Sequence, residues 1–315
     1  MKTIALLGVI VIGLAIATIY YIIPEKLVVS QLTTINCTSG ASYRLLHDDE
    51  NWGKWWPEND SSITGTKQKN THILDLTKFE VVKKLTNGVD INIQNRNLDL
   101  ASTLLVIPLP GDSIALRWNC TIHSGNNPFT RIKRYQEAKS VKNKLSVVSQ
   151  SMKQFLEKKE NVYDFTIQRT SIQDTLLIAA TNKFRFKPST KEVYDLLSKL
   201  ENYINNNGAI QTGSPMTNTS VMVDSSFQLM VAIPINKQLP GNGNIFPRKL
   251  IKGNYLMTEV QGGPYTIQLA LDQLKLYAED YRRTTIAIPF ESLITNRETI
   301  RDTAQWKTRI FLPVM

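Results

Sequence analysis

The side chains able to do chemistry in this chain are few and far apart. The three histidines, His47, His72 and His123, stand in no H-x-x-x-H or C-x-x-C setting, so their spacing supports no metal centre and none is expected. There is no G-x-S-x-G elbow, no phosphate-binding loop and no dinucleotide G-x-G-x-x-G. Gly241-Asn242-Gly243 is followed by no helix pattern and reads as a turn, so no cofactor is expected either. Cys37 and Cys120 would pair in an oxidising compartment or remain buried thiols, and the sequence leaves both readings open. The carboxylates remain. Glu259 and Glu291 are the candidates for a general base, a role that needs a carboxyl of raised pKa aimed into an apolar pocket.

Three segments must position whatever site exists. The chain has 315 residues, enough for two domains with separate cores. Hydrophobic residues make up 42% and charged residues 20%, which excludes disordered, collagen-like and multi-span membrane chains. The formal net charge is +10, from 37 Lys plus Arg against 27 Asp plus Glu, but the excess is spread out. The densest stretch, Arg131 to Lys144 followed by Lys153, Lys158 and Lys159, is interrupted by Glu137, Glu157 and Glu160. It reads as a solvated helix face. No helix-turn-helix pattern precedes it, and no nucleic-acid partner is expected.

The first segment, residues 1–26, reads as a membrane anchor. From Thr3 to Ile23 no residue is charged, and the run is long enough to cross a hydrocarbon core as a helix. It ends Ile19-Tyr20-Tyr21-Ile22-Ile23-Pro24, without the small residues of a signal-peptidase site, which favours an uncleaved single-pass anchor with tyrosines at the interface. Lys2 and the amino terminus face Lys26, offset by Glu25. That slight bias puts the bulk of the chain on the outer side of a bacterial cell membrane.

Residues 27–160 form the first soluble segment. Leu27 to Asn36 reads as a strand and Ala41 to Leu46 as a short helix capped by Thr38 or Ser39. Lys78 to Thr86 and Val89 to Gln94 read as a hairpin about Asn87-Gly88, Ser102 to Ile107 and Ile114 to His123 as a second strand pair, and Ile132 to Lys159 as a long helix. This order, with Asn51-Trp52-Gly53-Lys54-Trp55-Trp56-Pro57 after the first helix and Arg117-Trp118 in a late strand, resembles the SRPBCC (START-like) superfamily. The resemblance implies a curved antiparallel sheet gripping a long helix around a cavity for an apolar ligand. Trp52, Trp55 and Trp118 are then candidates for the cavity wall, or else core aromatics, which is the commoner use of large rings.

Residues 161–315 run one plan twice: strand Thr175 to Phe186, helix Ser189 to Asn205, strands Val221 to Val223 and Phe227 to Ile235; then strand Lys249 to Val260, helix Tyr265 to Arg282, strands Ile286 to Leu293 and Lys307 to Val314. The copies end alike, Ala232-Ile233-Pro234-Ile235 and Phe311-Leu312-Pro313-Val314. This duplication, with Gly263-Pro264-Tyr265 before the second helix, resembles the GyrI-like effector-binding domain. The resemblance implies an α+β fold of two strand-helix-strand-strand halves with a ligand cleft between them and a buried glutamate as counter-charge. Arg309 stands at the position usually held by that acid. It would either select a neutral or anionic ligand or pair internally with Glu259 or Glu291. The candidate ligand wall is Tyr255, Tyr265, Phe290, Trp306 and Arg309.

The expectation is therefore a membrane-anchored, non-catalytic binder or sensor of a small apolar or amphipathic molecule. The alternatives are a small-molecule hydrolase or isomerase using a cleft glutamate, and a scaffold that recognises an envelope protein.

Overall fold

The computed structural model describes residues 2–57, 70–96, 98–172 and 175–315, with residues 2–5 and 9 described in backbone only. The chain divides into two compact units, Met1–Lys158 and Lys159–Met315.

The first unit opens with helix α1 (Lys2–Ile22) and strand β1 (Lys26–Ile35), followed by short helices α2 (Ser39–His47) and α3 (Trp52–Trp55). Strands β2 (Thr71–Leu74), β3 (Thr77–Leu85), β4 (Gly88–Asn95), β5 (Leu98–Leu109) and β6 (Ser113–His123) lead into helix α4 (Pro128–Leu156). The antiparallel sheet has the order β1-β6-β5-β4-β3-β2. Alternation selects its inner face: Leu98, Leu100, Leu104 and Val106 of β5 are buried while their neighbours are not. Against that face lies the stripe of α4, with Val141, Leu145, Val148 and Met152 at helical spacing. Asn127 starts α4 by accepting the Phe129 N–H at 2.9 Å. Gly88, expected in a turn, sits in β4 instead. A Cβ there would lie 2.1 Å from the Leu104 carbonyl oxygen, so this glycine serves the close approach of β5.

Where the helix-grip resemblance implies a cavity, this unit holds a chain of packed rings. Trp52 and Trp118 are completely buried and Trp55 nearly so. Trp52 lies 4.9 Å from Trp55, Trp56 lies 5.3 Å from Phe79, and Phe79 lies 6.0 Å from Trp118. Trp52 Nε1 donates to the Leu46 carbonyl at 3.0 Å, and Trp118 Nε1 donates to Ser102 Oγ at 3.0 Å. All three tryptophans are buried, and they pack against other rings. Cys37 and Cys120 are both buried, and burial pushes the Cys120 thiol up to about 11.

Among the described residues no helix is long and apolar enough to cross a membrane. Helix α1 is 21 residues long, and the side chains of residues 2–5 and 9 lie outside the description.

The second unit contains α5 (Lys159–Tyr163), β7 (Gln168–Ile172), β8 (Leu176–Phe184), α6 (Thr190–Asn206), β9 (Met216–Val221), β10 (Phe227–Pro234) and β11 (Ile245–Lys249). It continues with β12 (Gly253–Gln261), α7 (Pro264–Asp280), β13 (Phe290–Leu293) and β14 (Lys307–Val314). One eight-stranded sheet takes the order β11-β8-β10-β9-β13-β14-β12-β7. The two copies, β8-α6-β9-β10 and β12-α7-β13-β14, thus lie in mirror order about the β9–β13 pair. Edge strands β11 and β7, absent from the sequence reading, extend it by one on each side. The strand expected over Ile286 to Leu293 is interrupted: Thr285 bridges Val314, residues 287–289 leave the ladder, and Phe290–Leu293 pair with β14 again. Helix α6 opens on a complete capping box, Ser189 with Glu192.

His72 gives the first unit a pH dependence. Its ring stacks on Trp52 at 5.0 Å and lies 5.0 Å from Trp56, and burial lowers its pKa from 6.5 to about 4, opposed in part by Asp49. The unfolded chain therefore binds a proton that the folded one refuses. The stability present above pH 6.5 is lost as pH falls towards about 4. Urea unfolding followed by tryptophan fluorescence should show a midpoint that drops across this window, and His72→Phe should flatten that part of the curve.

Candidate functional site

The second sheet has two different faces. On one, Leu229, Val231 and Ile233 of β10 pack on Leu196, Leu197 and Leu200 of α6, and Leu256, Ile310 and Leu312 pack on Ile267, Ala270 and Leu274 of α7. Strand alternation sends the intervening residues to the opposite face. There Met216 and Asn218 of β9, Met230 and Ala232 of β10, Tyr255, Phe290 and Pro313 line a small cleft of about 80 Å³, open to solvent. Leu250 and Ile251, after β11, and Ala287 and Ile288, before β13, form its sides. The departure of residues 287–289 from the ladder is thus what raises a wall beside the sheet.

The cleft wall is apolar and aromatic with a cationic rim. Phe290 stacks on Phe311 at 4.9 Å and meets Tyr255 edge-on at 6.1 Å. The Tyr255 hydroxyl donates to the Ile251 carbonyl at 2.6 Å, fixing ring and side segment together, and burial pushes its pKa up. Asn218 Nδ2 donates to the Pro289 carbonyl at 2.8 Å, tying the opposite side to β9. The charged residues that line the cleft, Arg248 and Lys249, are both cationic. Arg248 Nη1 lies 3.0 Å from Met230 Sδ.

The sequence-derived candidates divide between this cleft and other places. Tyr255 and Phe290 line it; Tyr265, Trp306 and Arg309 do not. Tyr265 stands exposed in the first turn of α7. Trp306 is buried, with its Nε1 donating to the Ile300 carbonyl at 2.8 Å. Arg309 pairs with Glu259 at 2.7 Å, directly across the β12–β14 register, both side chains about half exposed. Of the two roles open to Arg309, internal pairing is the one seen, because cross-strand neighbours of opposite charge meet without burying either.

Glu291 follows Phe290 on β13 and so takes the helix-bearing face. Arg297 Nη2 donates to Glu291 at 2.7 Å and to Thr308 Oγ1 at 2.8 Å, and its guanidinium lies 5.0 Å from the Trp306 ring centroid. The Arg297 backbone N–H donates to the Tyr194 hydroxyl of α6 at 2.7 Å. Arg297 therefore braces both copies at once. Neither Glu259 nor Glu291 lines the cleft, which leaves the general-base reading without a carboxylate at the place it requires. Arg248 and Lys249 escaped the sequence reading because a basic pair before an apolar stretch is commonplace, and edge strand β11 carried no alternation to flag it.

No family model matches the chain, and no curated protein matches it. Solved structures similar to it include the EcmrR C-terminal domain, at 16% identity over 48% of this chain and 98% of that domain with a TM-score of 0.42. An EcmrR–DNA complex is 17% identical over 59% of this chain and 70% of that one, with a TM-score of 0.43. A START-superfamily protein from Mycobacterium smegmatis is 13% identical over 41% of this chain and 97% of that one, with a TM-score of 0.29.

The two arginine pairs should behave differently. Arg309→Glu places like charges opposite each other on exposed strand positions and should cost at most about 1 kcal/mol. Arg297→Ala leaves the Glu291 carboxylate and the buried Thr308 hydroxyl without their shared donor, and should cost about 2 kcal/mol. Chemical denaturation of the two variants beside the wild type checks the order; equal losses would contradict it.

Proposed function

We propose that the second unit is a non-catalytic binding module for a small amphipathic molecule with an anionic or neutral head, and that residues 3–23 anchor the chain in a membrane. One observation carries the first part: an apolar, aromatic-walled cleft whose charged lining residues are Arg248 and Lys249. Burial of an alkyl or aromatic tail would supply the affinity, about 0.8 kcal/mol per methylene removed from water. The cations would sit at the mouth and favour a negative head, the Arg guanidinium offering a planar fork of donors. Recognition would thus be of the sign opposite to a cation binder with a buried acid.

The anchor reading rests on the uncharged run from Thr3 to Ile23 and on the exposure of α1 on every side. Leu7, Ile10, Val11, Ile12 and Leu14 are all exposed although apolar. Successive residues of a helix point in different directions, so no single protein face accounts for them, whereas lipid does. The weak charge bias at its ends favours a bacterial cell membrane with both units outside.

Calorimetric titration of the whole chain with dodecanoate and with dodecyltrimethylammonium tests the ligand reading. Dodecanoate should bind more tightly, and Arg248→Glu combined with Lys249→Glu should weaken it about tenfold or more, about 1.4 kcal/mol. Preference for the ammonium compound in the wild type, or indifference of dodecanoate binding to the double substitution, would overturn it.

A further inference from the structure

We infer that the first unit stands on the bilayer as well as hanging from it, with the N-terminal end of α4 and the last turn of α1 forming one patch in the headgroup layer. This rests on the anchor reading of residues 3–23.

The connection between α1 and the first unit is a rigid block. The Tyr20 hydroxyl donates to the Asn126 carbonyl. Arg131 is buried, with its guanidinium carbon 4.3 Å from the centroid of the Tyr20 ring. Its Nη1 donates to the Ile23 carbonyl at 2.7 Å and its Nε to the Gly125 carbonyl at 3.0 Å. The Ser124 hydroxyl donates to the Pro24 carbonyl at 2.7 Å, and its N–H donates to the Glu25 carbonyl at 2.9 Å. Residues 20–25 and 124–131 are therefore locked to one another. The carbonyl of Ile23, left without a helical partner where α1 stops, is satisfied by a charged donor from α4.

That lock sets a height. If Thr3 to Ile23 fills the hydrocarbon, Tyr20 and Tyr21 lie at its edge, and the start of α4, held to Tyr20 and Ile23, lies at the same level. The side chains presented there suit that level. Phe129 is 81% exposed and Tyr21 92% exposed, and Ile132 and Tyr135 follow Phe129 at helical spacing, also exposed. Lys26, Lys133 and His123 are exposed around them, with Glu25 as the acid of the block. The first turn of α4 carries no acid, so its positive end also faces the phosphates. An aromatic ring left in water at a helix start stabilises nothing, whereas in the interface it buries its apolar body beside polar heads. Anionic headgroups complement the excess of cations around the patch.

The opposite end of the same strands provides an internal reference. Strand β6 runs from Ser113 to His123, so Leu109, before the β5–β6 turn, lies about 30 Å from the block along the strands.

The test uses the full chain reconstituted in vesicles of phosphatidylethanolamine and phosphatidylglycerol. Single nitroxide labels go on Phe129→Cys, Leu109→Cys and Ile12→Cys, with unlabelled-site wild type controlling for Cys37 and Cys120. Relaxation by dissolved oxygen and by a water-soluble nickel chelate reads depth. The oxygen-to-nickel ratio at 129 should exceed that at 109 several-fold and lie below that at 12. A ratio at 129 equal to that at 109, with 12 deep in the bilayer, overturns the inference while leaving the anchor intact. A water-like ratio at 12 removes the anchor and the inference with it. All three substitutions are at exposed positions, so the fold is kept.

Discussion

The two halves of the second unit are joined by a ladder of two residue pairs, Glu291 with Thr217 and Ser292 with Met216, and much of the unit depends on that short seam. Because strand side chains alternate, these pairs decide what each face receives: Phe290 and Met216 go to the cleft, Glu291 and Thr217 to the helices. Two hydrogen-bonded pairs are little to hold an eight-stranded sheet together. The seam is reinforced at its flanks by Leu293 N–H donating to the Pro215 carbonyl at 2.8 Å and Asn218 bonding the Pro289 carbonyl. It is also reinforced from behind by Arg297, whose bonds reach Tyr194 in one half and Glu291 and Thr308 in the other. The polar cluster on the helix side and the apolar cleft on the other are thus two consequences of a single register.

Much of this architecture was legible in the sequence where a pattern is local. The capped helices α2 and α6, the long stripe of α4 and the repeated strand-helix-strand-strand order all follow from spacing and end signals that belong to the segment itself. The edge strands were not legible. β7 and β11 are five residues each and are made by pairing with β12 and β8, so they have no private signal. The site suffered from the same limit. Tyr255 and Phe290 stood on strands whose facing could be counted, but Arg248 and Lys249 enter the cleft only because β11 adds to the outer edge of β8. Arg309 was misplaced for a related reason: alternation gives its face of the sheet, while its distance along that face from the cleft is set by tertiary pairing.

The first unit shows how one composition serves opposite ends. A cluster of tryptophans is what a ligand cavity and a packed core would each use, and sequence does not tell them apart. Here the indole N–H groups of Trp52, Trp56 and Trp118 are answered by carbonyls and a serine hydroxyl within the fold, and the rings touch one another.

Edge strand β11 has one more consequence. An outermost strand offers unpaired backbone groups to any other chain, and long flat edges invite aggregation. β11 ends the sheet with five residues, carries Pro247 in its middle and finishes in Arg248-Lys249, which are three of the usual means of blocking such pairing. The two cations at the cleft mouth therefore also guard the sheet against growing by another molecule's strand. The charge of the cleft's lining and the protection of the sheet edge thus rest on the same two side chains, and a change to one alters the other.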